Sequence, residues 1–123
     1  MVILTGKSWA IIKKINQDWN DKIQYESDSK HYHKTDHWAF PLDLKGDCED
    51  YAIAKRQALE SHGIESHFAC CWVETGGYHA VLVVETDKGD FVLDNRYDEV
   101  RNYADLPYRW HIVEKEGEWY AIV

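Results

Sequence analysis

The sequence predicts an α+β domain, with helices first and an antiparallel sheet after them. Three observations carry this. Over residues 8–25 apolar residues recur at steps of three and four, the spacing of a helix face, and residues 48–61 follow a capping residue with a run of helix formers. After Gly63 the pattern changes to short apolar runs separated by glycine-containing turns, as in strands and hairpins. The length of 123 residues fits one domain over 1–123. Hydrophobic residues make up 45% and aromatics 14%, too much apolar material for a disordered chain.

The first helix is expected over residues 8–25. Trp9, Ile12, Ile15, Trp19 and Ile23 fall on one face, and Lys13, Lys14, Asp18 and Asp21 fall mostly elsewhere. Residues 26–45 break the pattern and read as a long loop or a pair of short turns. Such segments often border a functional site. The loop's His31, His33 and His37 are irregularly spaced and read as exposed rather than as a metal cluster. A second helix is expected over residues 48–61. Asp47 suits its N-cap, Glu49 and Asp50 suit the positive end of its dipole, and Gly63 suits its stop. Strands follow at 67–74, 79–86 and 90–94, joined by turns at Thr75-Gly76-Gly77 and Asp87-Lys88-Gly89. After an irregular stretch, 110–115 and 119–123 form a last hairpin around Glu116-Gly117.

The formal net charge of -8 argues against nucleic-acid partners, whose phosphates need Lys and Arg. It argues equally against docking on an anionic membrane. It is compatible with a divalent cation or a basic substrate. No stretch approaches the roughly 20 apolar residues of a membrane span. The N-terminus MVILTGKSWAIIKK does not read as a signal peptide. A cytoplasmic setting is therefore expected, or a periplasmic one if a leader has been removed.

Of the three cysteines, Cys70 and Cys71 sit in the apolar run FACCWV and read as core. Cys48 is different, because its context is charged and it opens the second helix. Helix N-termini favour a thiolate, so a lowered thiol pKa is expected there. A nucleophilic cysteine also needs a base and a group to fix that base. His79 begins one strand and Asp94 ends the next. With Lys88 at the hairpin tip, residues 82 and 94 lie opposite each other. His79 is then three positions from Asp94, and a bulge or a shifted turn must close the gap. Strand alternation lets only one of Asp94 and Asn95 face His79. The plainer readings are a helix-end thiol, a satisfied strand-edge histidine and a turn cap.

The stretches Trp38-Ala39-Phe40-Pro41, Gly46-Asp47-Cys48-Glu49-Asp50-Tyr51-Ala52-Ile53-Ala54-Lys55, His79-Ala80-Val81-Leu82 and Val92-Leu93-Asp94-Asn95 together resemble the bacterial transglutaminase-like cysteine peptidases. The resemblance runs from about residue 9 to the C-terminus. It implies a papain-like, transglutaminase-like fold with a Cys48, His79, Asp94 triad. It implies hydrolysis of a peptide or side-chain amide bond in a protein or peptide substrate through an acyl-enzyme. The Cys48 N–H would serve as oxyanion donor, with Trp38 adding an indole N–H or an apolar wall. Members of the family include periplasmic proteases that clip a surface adhesin and need calcium. That implies Ca2+ at Asp47, Glu49 and Asp50, although these acids equally suit a helix cap and its dipole. This chain is shorter and shows no export signal, so a cytosolic or phage-borne relative with another substrate fits as well.

The same residues leave other readings open. An amine acceptor in place of water gives a transamidase. A calcium-binding interaction module with a vestigial site, or a virion or scaffold protein, would lack a reactive Cys48. A zinc site is the weakest option, since no close Cys or His pair has the usual spacing.

Overall fold

The computed structural model describes residues 1–25 and 45–122. Thr5 opens the first helix. Its hydroxyl accepts the Ser8 N–H, and the Ser8 hydroxyl accepts the Thr5 N–H. Helix α1 therefore runs Gly6–Lys22, starting two residues before the periodic pattern does. Ile12 and Ile15 are buried, as the stripe predicts. The helix also stops early. Ile23 turns extended, and Gln24–Tyr25 (β1) pairs in parallel with Lys45–Gly46 (β2). Periodicity alone carries the helix to Tyr25; the strand partner Lys45–Gly46, distant in sequence, overrides it.

Strand β2 delivers the chain to Asp47, the N-cap of helix α2 at Cys48–Glu60. Asp47 Oδ1 accepts the Glu49 N–H, and Asp50 Oδ2 accepts the Asp47 N–H. This reciprocal cap is worth about 1 kcal/mol. At the other end Gly63 has φ +72°, a conformation open to glycine at little cost. It lets the Ile64 N–H reach the Leu59 carbonyl and the Gly63 N–H reach the Glu60 carbonyl, closing the helix.

Six antiparallel strands follow: β3 (His67–Trp72), β4 (Tyr78–Thr86), β5 (Gly89–Leu93), β6 (Arg101–Asn102), β7 (Arg109–Lys115) and β8 (Glu118–Ala121). Their order is β6-β5-β4-β3-β7-β8. The α+β architecture is the one predicted, and β3, β4, β5, β7 and β8 lie within two residues of their expected bounds. Strand β6 lies in the stretch read as irregular. The β7–β8 turn has positive φ at both Glu116 and Gly117, the geometry of a two-residue hairpin.

One face of the sheet packs on the helices. Leu82, Val84 and Leu93 meet Ile12, Ile15, Ala52 and Leu59. On the other face Val81, Val83, Val92 and Cys71 pack against Leu106 and Tyr108. Strand β4 is thus buried on both sides. This explains why residues 80–84 are a continuous apolar run and not an alternating one.

Candidate active site

Asp94 follows β5 and is 1% exposed. Its Oδ1 accepts the His79 Nε2–H at 2.7 Å and the Arg96 N–H at 2.9 Å. Its Oδ2 accepts the Tyr108 hydroxyl at 2.5 Å. Burial alone would push the Asp94 carboxyl up. Hydrogen bonds from His79 and Tyr108 outweigh it and hold the group below its ordinary value. A carboxylate only accepts, so Nε2 of His79 carries the proton and Nδ1 is the nitrogen with a lone pair. The Tyr108 ring meets the His79 ring edge-on at 5.9 Å and fixes its plane.

Cys48 is the first residue of α2 and is half-buried. Its Sγ accepts the Ala80 N–H at 3.4 Å, so the sulfur lies against the peptide that follows His79. The Cys48 N–H is among the first of the helix, which have no acceptor within it. The expectation of a lowered thiol pKa is corrected here. Burial pushes the Cys48 thiol up, and the Asp47, Glu49 and Asp94 carboxylates push it further. The Ala80 N–H opposes them without prevailing. The dipole argument counted only the helix end, whereas the fold buries the thiol there and adds negative charge around it.

The strand register is also corrected. Leu82 pairs with Leu93, because the β4–β5 loop is Asp87-Lys88 and not centred on Lys88. Extending that register places His79 two positions from Asp94 instead of three. The difference decides the site. An offset of three puts the side chains on opposite faces, and an offset of two puts them diagonally on one face. No bulge is needed. Asp94, not Asn95, reaches His79.

The structure thus brings Cys48, His79 and Asp94 to one end of β4. Asp47 and Asp50 are there too, each using a carboxylate oxygen in the α2 cap. Asp50 is fully buried. Carboxylates are the hard donors that calcium takes, in sets of six to eight oxygens. Among the described residues, however, no group of three or more His, Cys, Asp or Glu is arranged to hold a metal ion. Trp38, His31, His33 and His37 lie outside the described residues. Cys70 and Cys71 are buried among β3 neighbours, as their apolar context predicts.

Four side chains around Asp94 escaped the sequence reading. Tyr108 and Arg96 flank the carboxylate, and Asn16 and Asn20 grip the turn behind it. Tyr108 gave no signal, being in a stretch without pattern. Asn16 did give one, since it interrupts the buried face of α1.

The model of the bacterial transglutaminase-like cysteine proteinase family matches residues 1–123. The chain belongs to that family. It is a cysteine peptidase by that membership. Three structures of LapG from Legionella pneumophila share its fold at 22% sequence identity. The calcium-bound one has a TM-score of 0.76 over 91% of this chain and 67% of LapG. Another has 0.77 over the same shares. The EGTA-treated one has 0.79 over 93% and 67%. No curated protein matches in sequence. Among the described residues, no helix is long and apolar enough to cross a membrane.

Proposed function

We propose that this peptidase cleaves a peptide bond in a protein substrate, with Cys48 as nucleophile, His79 as base and Asp94 as the group that orients the base. The observation that carries the reading is the 2.7 Å bond from His79 Nε2 to Asp94, at the start of the strand whose Ala80 N–H faces Cys48 Sγ. Nδ1 of His79 takes the thiol proton, and Sγ attacks the carbonyl carbon. The developing oxyanion turns to the Cys48 N–H. His79 then gives its proton to the leaving amine, which leaves a thioester on Cys48. Water attacks the thioester, its proton passes to His79 and then to the departing sulfur, and the thiol is restored. Asp94 keeps Nε2 protonated throughout and stabilises the imidazolium.

Iodoacetamide labelling near neutral pH, read by mass spectrometry, tests this without a known substrate. Cys48 should label despite its raised thiol pKa, because Nδ1 of His79 takes its proton, while the buried Cys70 and Cys71 should not. His79→Ala should slow labelling of Cys48 by about tenfold or more. Equal rates in the two proteins would sink the assignment of His79.

The reading extends to calcium held in part by Asp47, Glu49 and Asp50. Its support is their carboxylate chemistry beside Cys48 and the calcium-bound state of LapG. The described residues alone do not complete such a site, and no step above depends on the ion. When bound, it would supply positive charge beside the nucleophile. Calcium that binds only the folded chain raises Tm, and EGTA reverses the rise. Asp47→Asn with Glu49→Gln should abolish the difference. A Tm indifferent to both calcium and EGTA would remove calcium from the reading.

A further inference from the structure

Lys55 is 0% exposed, although it belongs to a residue type almost never fully buried. It lies in α2, on the side that meets α1. Its Nζ donates to Asn16 Oδ1 at 2.8 Å. That bond settles which way the Asn16 amide points. The oxygen is taken by that N–H, so Nδ2 faces the other way. Nδ2 indeed donates to the Tyr97 carbonyl at 3.2 Å and the Asp98 carbonyl at 2.9 Å. One turn along α1, Asn20 Nδ2 donates to the Asp94 carbonyl at 3.1 Å and to the Tyr97 carbonyl at 2.9 Å. Two asparagines on one face of α1 thus hold three carbonyls of the turn that begins at Asp94.

We infer that Lys55, acting through Asn16, is a positioning residue for the reaction: it locks the 94–98 turn and so keeps the Asp94 carboxylate on His79. The inference rests on the catalytic reading proposed above. A buried amine is a costly way merely to fill space, since an apolar side chain of similar length would pack without desolvation. Burial pushes the Lys55 amine down to about 7, with Asp94 partly opposing the shift. What Lys55 supplies that an apolar residue cannot is a hydrogen-bond donor for the buried Asn16 oxygen. Without it, the buried Asn16 oxygen has lost its donor, at a cost of about 1–3 kcal/mol, and the side chain is no longer held where its Nδ2 meets the Tyr97 and Asp98 carbonyls. The turn then loosens, and with it the side chain of Asp94. Displacing a catalytic group by about 1 Å costs on the order of 100-fold in rate.

Proton NMR of the whole chain reads the lock directly. The His79 Nε2–H, bonded to a carboxylate, should give a low-field resonance, assigned by its loss in His79→Gln. In Lys55→Met this resonance should move upfield or broaden away while the backbone amides stay dispersed. Iodoacetamide labelling of Cys48 should slow by about tenfold or more. Asn16→Asp is the second variant. It keeps an oxygen for Lys55 and removes the donors to Tyr97 and Asp98, so it should show the same two changes. It decides the matter if Lys55→Met fails to fold. An unchanged His79 resonance and unchanged labelling in a folded variant would overturn the inference. If instead His79→Gln labels like wild type, the catalytic reading itself is at fault and not the role of Lys55.

Discussion

Asp94 and Glu114 are both nearly inaccessible carboxylates, 1% and 3% exposed. Each accepts from three donors. Asp94 has His79, Tyr108 and the Arg96 N–H. Glu114 has Arg56 and the N–H groups of Phe68 and Gly117. In both, burial pushes the carboxyl up and hydrogen bonding brings it below its ordinary value. The difference that matters is the nature of one side-chain donor. The guanidinium of Arg56 does not release its proton, so Glu114 only ties α2, β3 and the β7–β8 hairpin together. An imidazole can gain and lose a proton near neutrality, so the same kind of anchor at Asp94 can serve chemistry. Burial and a depressed pKa therefore do not mark an active site by themselves. What sets the proposed site apart is a partner with a transferable proton beside a cysteine.

The sharpest way to break this comparison is to neutralise each carboxylate. Asp94→Asn should lower turnover on a peptide substrate by about 10⁴-fold, because the amide favours the wrong imidazole tautomer. Glu114→Gln should leave turnover unchanged, and equal losses in the two variants would erase the distinction. Stability should show the reverse emphasis. Glu114→Gln should cost about 1–3 kcal/mol in a denaturant titration. The value should lie toward the lower end, because Arg56 keeps some solvent contact.

Acid unfolding sharpens the comparison by showing what the two carboxylates share. Each has a folded pKa below its ordinary value, 3.8 for Asp94 and 4.5 for Glu114. The stability each contributes is therefore present above those ordinary values and is lost as pH falls through the depressed ones. Either variant should flatten the fall in stability below about pH 4. A variant as steep as wild type there would show that its carboxylate is not depressed. The smallest effect expected is at Gly117, whose N–H serves Glu114 at φ +83°. Gly117→Ala should cost about 1 kcal/mol with activity intact.

The legible parts of this molecule share a physical origin. The α2 cap at Asp47, the stop at Gly63 and the Glu116-Gly117 turn depend on residues within a few positions of one another. Cys48 at a helix start was legible for the same reason. Its thiol environment was not, because Asp94 and the surrounding burial reach it from other elements and add to its neighbours Asp47 and Glu49. Lys55 was read only as part of a motif, since a lysine on a helix points to solvent unless tertiary packing encloses it. The one-residue error in the β4–β5 register came from placing the turn tip on Lys88. An error of one is small in sequence and decisive in a strand, where it flips the face.

The sequence alone determined the α2 caps, the places of the hairpin turns, the two periodicities and the residue types of the candidate site. All of these follow from hydrogen bonds and steric limits acting over three or four residues. Only the tertiary structure decided that β7 pairs with β3, that β1 pairs with β2 and that Asp94 rather than Asn95 meets His79. It also decided that Asn16 and Lys55 support Asp94 from behind. Those choices depend on closing long loops and on burying both faces of β4 at once. No local window of the chain carries that information.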